Sequence, residues 1–253
     1  MTHREVILEK IWQAMAFACE QSEVFTSNKA NTIPAEYLLT VAVAMAIAEL
    51  NGPPGDPYVI RVERDAATFM KDCVRPFRFT NRGAPGQRRL VRAEDPNICR
   101  PGRVDVSVYT DSPKDGYFGM QPLCAIELKG FDPAAKLVCA DIERNLGFLC
   151  TTGPTGDSVL EFAVFAALHS YKRCEDKHLS VNIERTRKKY VGYLKKFSNF
   201  LNVDFRILAE SVSAERVGTV IEGPDYDELD TSSRHHFVGA MIVMSRAGHN
   251  TKN

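Results

Sequence analysis

Apolar and polar positions alternate with a period of two at two places close together in the chain. In RVDVSVYT (103–110), Val104, Val106 and Val108 share one face while Asp105, Ser107 and Tyr109 share the other. In CAIELK (124–129), Cys124, Ile126 and Leu128 oppose Ala125, Glu127 and Lys129. The pattern predicts two strands, each carrying one carboxylate where an apolar residue would be expected. Two-residue spacing puts Glu127 and Lys129 side by side. Simple antiparallel pairing, through a connection holding Pro113, Gly116 and Gly119, would set Asp105 beside them. That register is an assumption, because the alternation alone does not fix it.

Helical spacing predicts the elements on either side. Residues 5–21 place Val6, Leu8, Ile11, Trp12, Met15, Ala18 and Cys19 on one stripe, followed by a polar loop from Ser22 to Thr32. A second helix opens near Ile33-Pro34 and runs to Leu50; it is apolar nearly all round, which predicts burial on most sides. Asn51-Gly52-Pro53-Pro54-Gly55 ends it. A short strand at Tyr58–Glu63 and a helical turn or two at Ala66–Val74 come next. Beyond the Glu127 strand, Asp132-Pro133 reads as an N-cap and first-turn proline, and Ala134, Leu137, Val138, Ile142, Leu146 and Leu149 form a stripe. Asp141 and Arg144 then read as a pair on that helix's surface. After a turn at Thr151–Asp157, the apolar run Phe162–Leu168 predicts a buried strand parallel to the Glu127 strand. A long helix from Val181 to Leu201, with Ile183, Tyr190, Leu194, Phe197 and Leu201 facing the core, precedes strands at Phe205–Val212 and Phe237–Ser245. The acidic stretch Glu222–Asp230 reads as an exposed loop, and the tail after Arg246 as frayed. The expectation is one α/β domain over 1–253, with 169–253 packed on the same sheet as a core of about 33–168.

Composition narrows the picture a little. The chain has 253 residues, is 44% hydrophobic and carries no formal net charge, so global charge points to no particular partner. Its seven cysteines form no CxxC pair and read as reduced thiols of an intracellular, cytoplasmic protein. The longest apolar run, Tyr37–Leu50, is too short to span a bilayer, so no membrane is expected. Local charge is more informative. Arg75, Arg78, Arg82, Arg88, Arg89, Arg92, Arg100 and Arg103 face only Glu94 and Asp95, with Phe77 and Phe79 between them. This segment reads either as a phosphate-contacting arm or as a solvated loop with a small hairpin around Arg88–Ala93. The helix after residue 180 has a second basic face containing Lys188 and Lys189.

The three strand residues suit one chemistry. Phosphodiester hydrolysis builds negative charge, which a hard divalent cation stabilises. Mg²⁺ (or Mn²⁺) takes oxygen ligands, which Asp105, Glu127 and the Leu128 carbonyl would provide. Lys129 would orient the attacking water and offset charge in the transition state. Singly, each residue has a plain reading as a strand-face charge or ion pair. His169 reads as a core histidine, and His235, His236 and His249 lack metal-ligand spacing.

An Asp on one strand, Glu-x-Lys on the next, then a helix and an apolar strand resembles the PD-(D/E)XK nuclease superfamily. The similar order covers 33–168: the Glu36 helix, the Tyr58 strand, the Asp105 strand, Glu127-Leu128-Lys129, the helix with Asp141-Ile142-Glu143-Arg144, and the Phe162 strand. Val104 rather than Pro precedes Asp105, and the arginine-rich insertion is a departure. The resemblance implies a restriction-endonuclease-like mixed β-sheet flanked by helices, with an extra N-terminal helix and a C-terminal helix and strands. It implies that Glu36, with Glu49 in reserve, joins the metal site. It also implies a nuclease acting on nucleic acid, DNA ahead of RNA, alone, as a homodimer or with a partner subunit. Arg78, Arg82, Arg88, Arg89, Lys188 and Lys189 would be the nucleic-acid contacts. The alternative is a catalytically inactive nuclease-like subunit that binds nucleic acid or a protein partner.

Overall fold

The structure is a computed structural model that describes residues 2–26, 36–53, 55–81, 88–94, 101–111, 117, 119–174, 178–213, 216–221, 223–224, 226 and 228–248. In chain order the elements are α1 (His3–Thr26), α2 (Glu36–Ala48), β1 (Tyr58–Asp65), α3 (Ala66–Asp72), β2 (Phe77–Asn81), β3 (Arg88–Arg92), β4 (Arg103–Thr110) and β5 (Gln121–Phe131). They continue with α4 (Ala135–Cys150), β6 (Thr152–Gly153), β7 (Gly156–Asp157), β8 (Phe162–Cys174), α5 (His178–Leu194), β9 (Val203–Ser211), β10 (Arg216–Ile221) and β11 (Glu228–Arg246).

The main sheet has the order β1-β4-β5-β8-β11-β10, with β9 pairing along the same edge of β11 as β10, opposite β8. It is mostly antiparallel; β5 and β8 form a parallel pair, as the helical crossover between them requires. Helices cover both faces. Ile7, Ile11, Met15 and Ala18 of α1 and Leu39, Val43 and Ile47 of α2 pack on Val106, Cys124, Ile126, Leu128, Val164 and Met241. Phe69 of α3, Val138, Ile142 and Leu146 of α4, and Tyr190 of α5 pack on Ala125, Phe165, Ala167 and Ile242. The alternation in β5 therefore divides its side chains between two cores: Ile126 and Leu128 lie under α1 and α2, and Glu127 faces α4. Val104 departs from its expected face and joins the cluster with α3 and α4.

Close approach of α1 to the sheet depends on Gly239 in β11. A Cβ there would fall 2.6 Å from Trp12 and 2.8 Å from Met15. Gly239→Ala is expected to destabilise the fold by about 1–3 kcal/mol through overpacking, measured by urea denaturation.

Several expectations need correction. The α1 helix continues through Ser22 to Thr26, into the predicted loop. The α2 helix buries one side only, leaving Tyr37 and Met45 exposed, because α1 and the sheet cover it from one direction. Asp132 is not the cap of α4; that position is Ala134, with no side-chain cap bond. Asp132 has φ +52° and turns its carboxylate to His169 and Ser170, which ties the end of β5 to β8. Leu137 points to solvent. The α5 helix stops at Leu194 and is followed by a 3₁₀ turn, so Leu201 lies beyond the helix and is 86% exposed. Glu228–Asp230 of the acidic stretch opens β11 and pairs with β10. His169 is a satisfied core histidine, within 2.9 Å of the Tyr190 hydroxyl. Arg82 and His249 lie outside the described residues. Among the described residues, no helix is long and apolar enough to cross a membrane.

Candidate functional site

The β4–β5 ladder pairs Val106 with Ile126 and Ser107 with Ala125, antiparallel. The paired register ends at Val106–Ile126, one residue short of Asp105 and Glu127. Asp105 is anchored to β5 because its Oδ2 accepts a 2.6 Å bond from the Leu128 amide. Lys129 follows on the same face of β5. Its Nζ donates to Glu36 Oε1 at 2.7 Å and to the Leu128 carbonyl at 3.1 Å, so the start of α2 does reach the site. The reserve residue Glu49 does not; it pairs with Lys10.

The pair assigned to the α4 surface is instead part of the site. Arg144 Nε and Nη2 donate to the two oxygens of Glu127 at 2.6 and 2.7 Å, and Nη2 also donates to Asp141 Oδ1 at 2.8 Å. Asp141 Oδ2 lies 3.3 Å from Lys129 Nζ but accepts no hydrogen bond. Asp141 is buried, Arg144 is 13% exposed at its side chain, and Glu127 is 0% exposed. Nearby, Asn145 is anchored to the sheet through a 3.0 Å bond from Nδ2 to the Val164 carbonyl. The sequence does hold a signal for this. Val138, Asp141, Ile142, Asn145 and Leu149 recur at the spacing of one helix face, so Asp141 and Asn145 interrupt the apolar stripe itself.

Burial dominates the electrostatics. It pushes Asp105 up to about 6, opposed by the Leu128 amide and Lys129. It pushes Glu127 up to about 8, opposed by the bonds from Arg144. Asp141 is also raised, chiefly by burial. Burial would lower the Lys129 ammonium, but Glu36, Asp141 and Asp105 outweigh it and hold the group above its ordinary value, so Lys129 is a fixed cation. The carboxylate shifts have a stability consequence. From the ordinary 3.8 and 4.5 up to about 6 and 8, the folded chain keeps protons that the unfolded chain has released. The contribution of these two groups is therefore fully present at low pH and is lost as pH rises through those values. Melting temperature is expected to fall between about pH 5 and 8, and the Glu127→Gln variant should fall less steeply.

The remaining candidates lie apart from this centre. Arg78, Arg88 and Arg89 are exposed on the separate β2–β3 hairpin, where Phe79 stands opposite Leu90 and Phe77 opposite Arg92. Lys188 is exposed on α5, 4.0 Å from Glu184, and Lys189 is half-buried beside it.

A hard divalent cation suits the donor chemistry. Asp105, Glu127 and Asp141 offer carboxylate oxygens whose charge burial leaves undercompensated, and one Asp141 oxygen has no hydrogen bond. Yet among the described residues no group of three or more His, Cys, Asp or Glu side chains is drawn together as a metal cluster. Both Glu127 oxygens are engaged by Arg144. No protein-family model matches the chain, and no curated protein matches it.

Proposed function

We propose that the protein is a metal-dependent nuclease of restriction-endonuclease-like fold, hydrolysing phosphodiester bonds in DNA ahead of RNA. The observation that carries this reading is the convergence of Asp105, Glu127 and Lys129 from adjacent strands, with Glu36 held against Lys129. The order of elements supports it: β1, β4, β5 and β8, which carry the superfamily-like pattern, are successive neighbours in the sheet.

Asp105 and Glu127, with the Leu128 carbonyl, would hold Mg²⁺ or Mn²⁺. When bound, that ion would polarise the phosphate and acidify an attacking water. Lys129, kept protonated by its acidic neighbours, places a positive charge where the transition state gains negative charge. Glu36 positions the Lys129 ammonium rather than acting on substrate.

A second reading is favoured by one contact. The bidentate grip of Arg144 on Glu127 supplies in place the charge a metal would supply. In this reading the chain is an inactive nuclease-like subunit that binds nucleic acid or a protein partner. Incubating the purified protein with single- and double-stranded DNA and RNA, with Mg²⁺, Mn²⁺ or chelator, separates the two. Metal-dependent cleavage that disappears in Glu127→Ala supports the first; binding without cleavage across substrates and metals supports the second.

Under either reading the β2–β3 hairpin is the proposed phosphate-contacting arm, with exposed arginines and Phe79 between them. Removing Arg88 and Arg89 together is expected to weaken DNA binding uniformly across sequences. It should lower the slope of log K against log salt by about one per lost phosphate contact. Fluorescence anisotropy over a salt series measures this, and an unchanged slope would remove the hairpin from the interface.

A further inference from the structure

The Arg144 guanidinium lies where the proposed metal would have to act. It takes both oxygens of Glu127 and one of Asp141, and so bridges two of the three buried carboxylates. Its position is closely shaped. Gly102, with φ +136°, leaves bare backbone over it, and a Cβ at that residue would meet Arg144 Nη1 at 2.9 Å. Asp141 Oδ2 faces Lys129 Nζ at 3.3 Å and has no other partner, so this carboxylate keeps acceptor capacity beyond Arg144 and Lys129.

A buried carboxylate needs a cation, and the structure contains one. A divalent ion bound through Glu127 would bring a second cation against the guanidinium fork, in a buried setting that screens their repulsion poorly. Sharing Glu127 is therefore unfavourable for both. Asp141 lies one helical turn before Arg144 on the same helix, so it can retain the guanidinium when Glu127 lets go.

We infer that Arg144 is a tethered counterion that competes with the divalent cation for Glu127, and that metal binding requires Arg144 to exchange from Glu127 onto Asp141. This rests on the nuclease reading. In the metal-free protein Arg144 holds the carboxylates together without repulsion, and metal affinity is reduced by the fraction of molecules in which Arg144 occupies the site.

Two measurements on the full-length protein test the exchange. The first follows the Arg144 Nε–H resonance in a ¹H–¹⁵N spectrum of the wild type, assigned by its loss in Arg144→Lys. A protected signal in chelator is expected to shift or broaden away as Mg²⁺ is added. The second is calorimetric titration of Mg²⁺ into the wild type and Arg144→Gln, where the variant should bind about tenfold more tightly or better. If the variant does not fold, the wild-type spectrum still decides. Mg²⁺ binding with an unchanged Arg144 signal, or with equal affinity in the two proteins, overturns the exchange and leaves the nuclease reading standing. No Mg²⁺ or Mn²⁺ binding by either protein overturns the metal site itself, and the exchange with it.

Discussion

Replacing Arg144 with alanine in the metal-free protein is expected to destabilise the fold by about 3–5 kcal/mol, the cost of stranding one member of a buried ion pair. The reason is the environment of Glu127. It has no exposed surface, it stands in β5, an interior strand of the sheet, and both its oxygens depend on the Arg144 fork. Removing the guanidinium leaves either an unpaired buried charge or a proton taken up to neutralise it. The effect should therefore grow with pH. The double variant Glu127→Leu/Arg144→Met removes both charges and fills the space, and it should recover most of the loss, since apolar replacements of a buried pair are often neutral or better. Urea denaturation of the four proteins in the cycle measures the coupling. A single-variant loss below about 1 kcal/mol would mean that water, rather than Arg144, satisfies Glu127.

On the proposed nuclease reading, Lys129→Met should lower metal-dependent cleavage by about 10²–10³-fold, the usual consequence of losing one preorganised electrostatic stabiliser. Methionine keeps the length of the apolar stem and removes only the ammonium. The folding cost should be modest, because the main partner, Glu36, is half exposed and regains water when released. The signature is a drop in kcat with little change in KM, measured by single-turnover cleavage of a labelled duplex. A raised KM with unchanged kcat would make Lys129 a substrate-binding residue instead. Because Lys129 opposes the rise of Asp105 above its ordinary value, its loss should move the Asp105 titration upward from about 6 and shift the pH profile of cleavage in the same direction.

Part of this arrangement was legible in the sequence because β5 alternates as expected: once 124–129 is taken as a strand, Glu127 and Lys129 must share a face. The face of Asp105 was not, because alternation in β4 breaks between Val104 and Val106, which lie in different cores. The parallel pairing of β5 with β8 was also readable, from the length of the crossover. Arg144 was not. The buried face of α4 could be read from Asp141 and Asn145, which interrupt its apolar stripe, but an arginine beside that stripe can reach solvent or turn inward, and the pattern does not say which. The α2 helix failed in the opposite sense. Its composition predicts burial all round, but α1 and the sheet cover one side, and Tyr37 and Met45 are left outside. A small hairpin was expected around Arg88–Ala93 as one of two readings, but Arg88–Arg92 is a single strand paired with Phe77–Asn81, in a sheet of its own.

The long β11 strand has a consequence for how the protein is made. It fills the gap between β8 on one side and β9 and β10 on the other, and supplies Phe237, Met241 and Val243 to one core and Ala240, Ile242 and Met244 to the other. During synthesis β8 emerges well before it. Until β11 arrives, the wholly apolar run from Phe162 to Leu168 presents an unpaired edge, the type of surface that recruits strands from other chains. A fragment ending after β8 would hold Asp105, Glu127, Lys129 and Arg144 and still be aggregation-prone. The chemistry-bearing part of the chain therefore depends on the last strand to cover this edge.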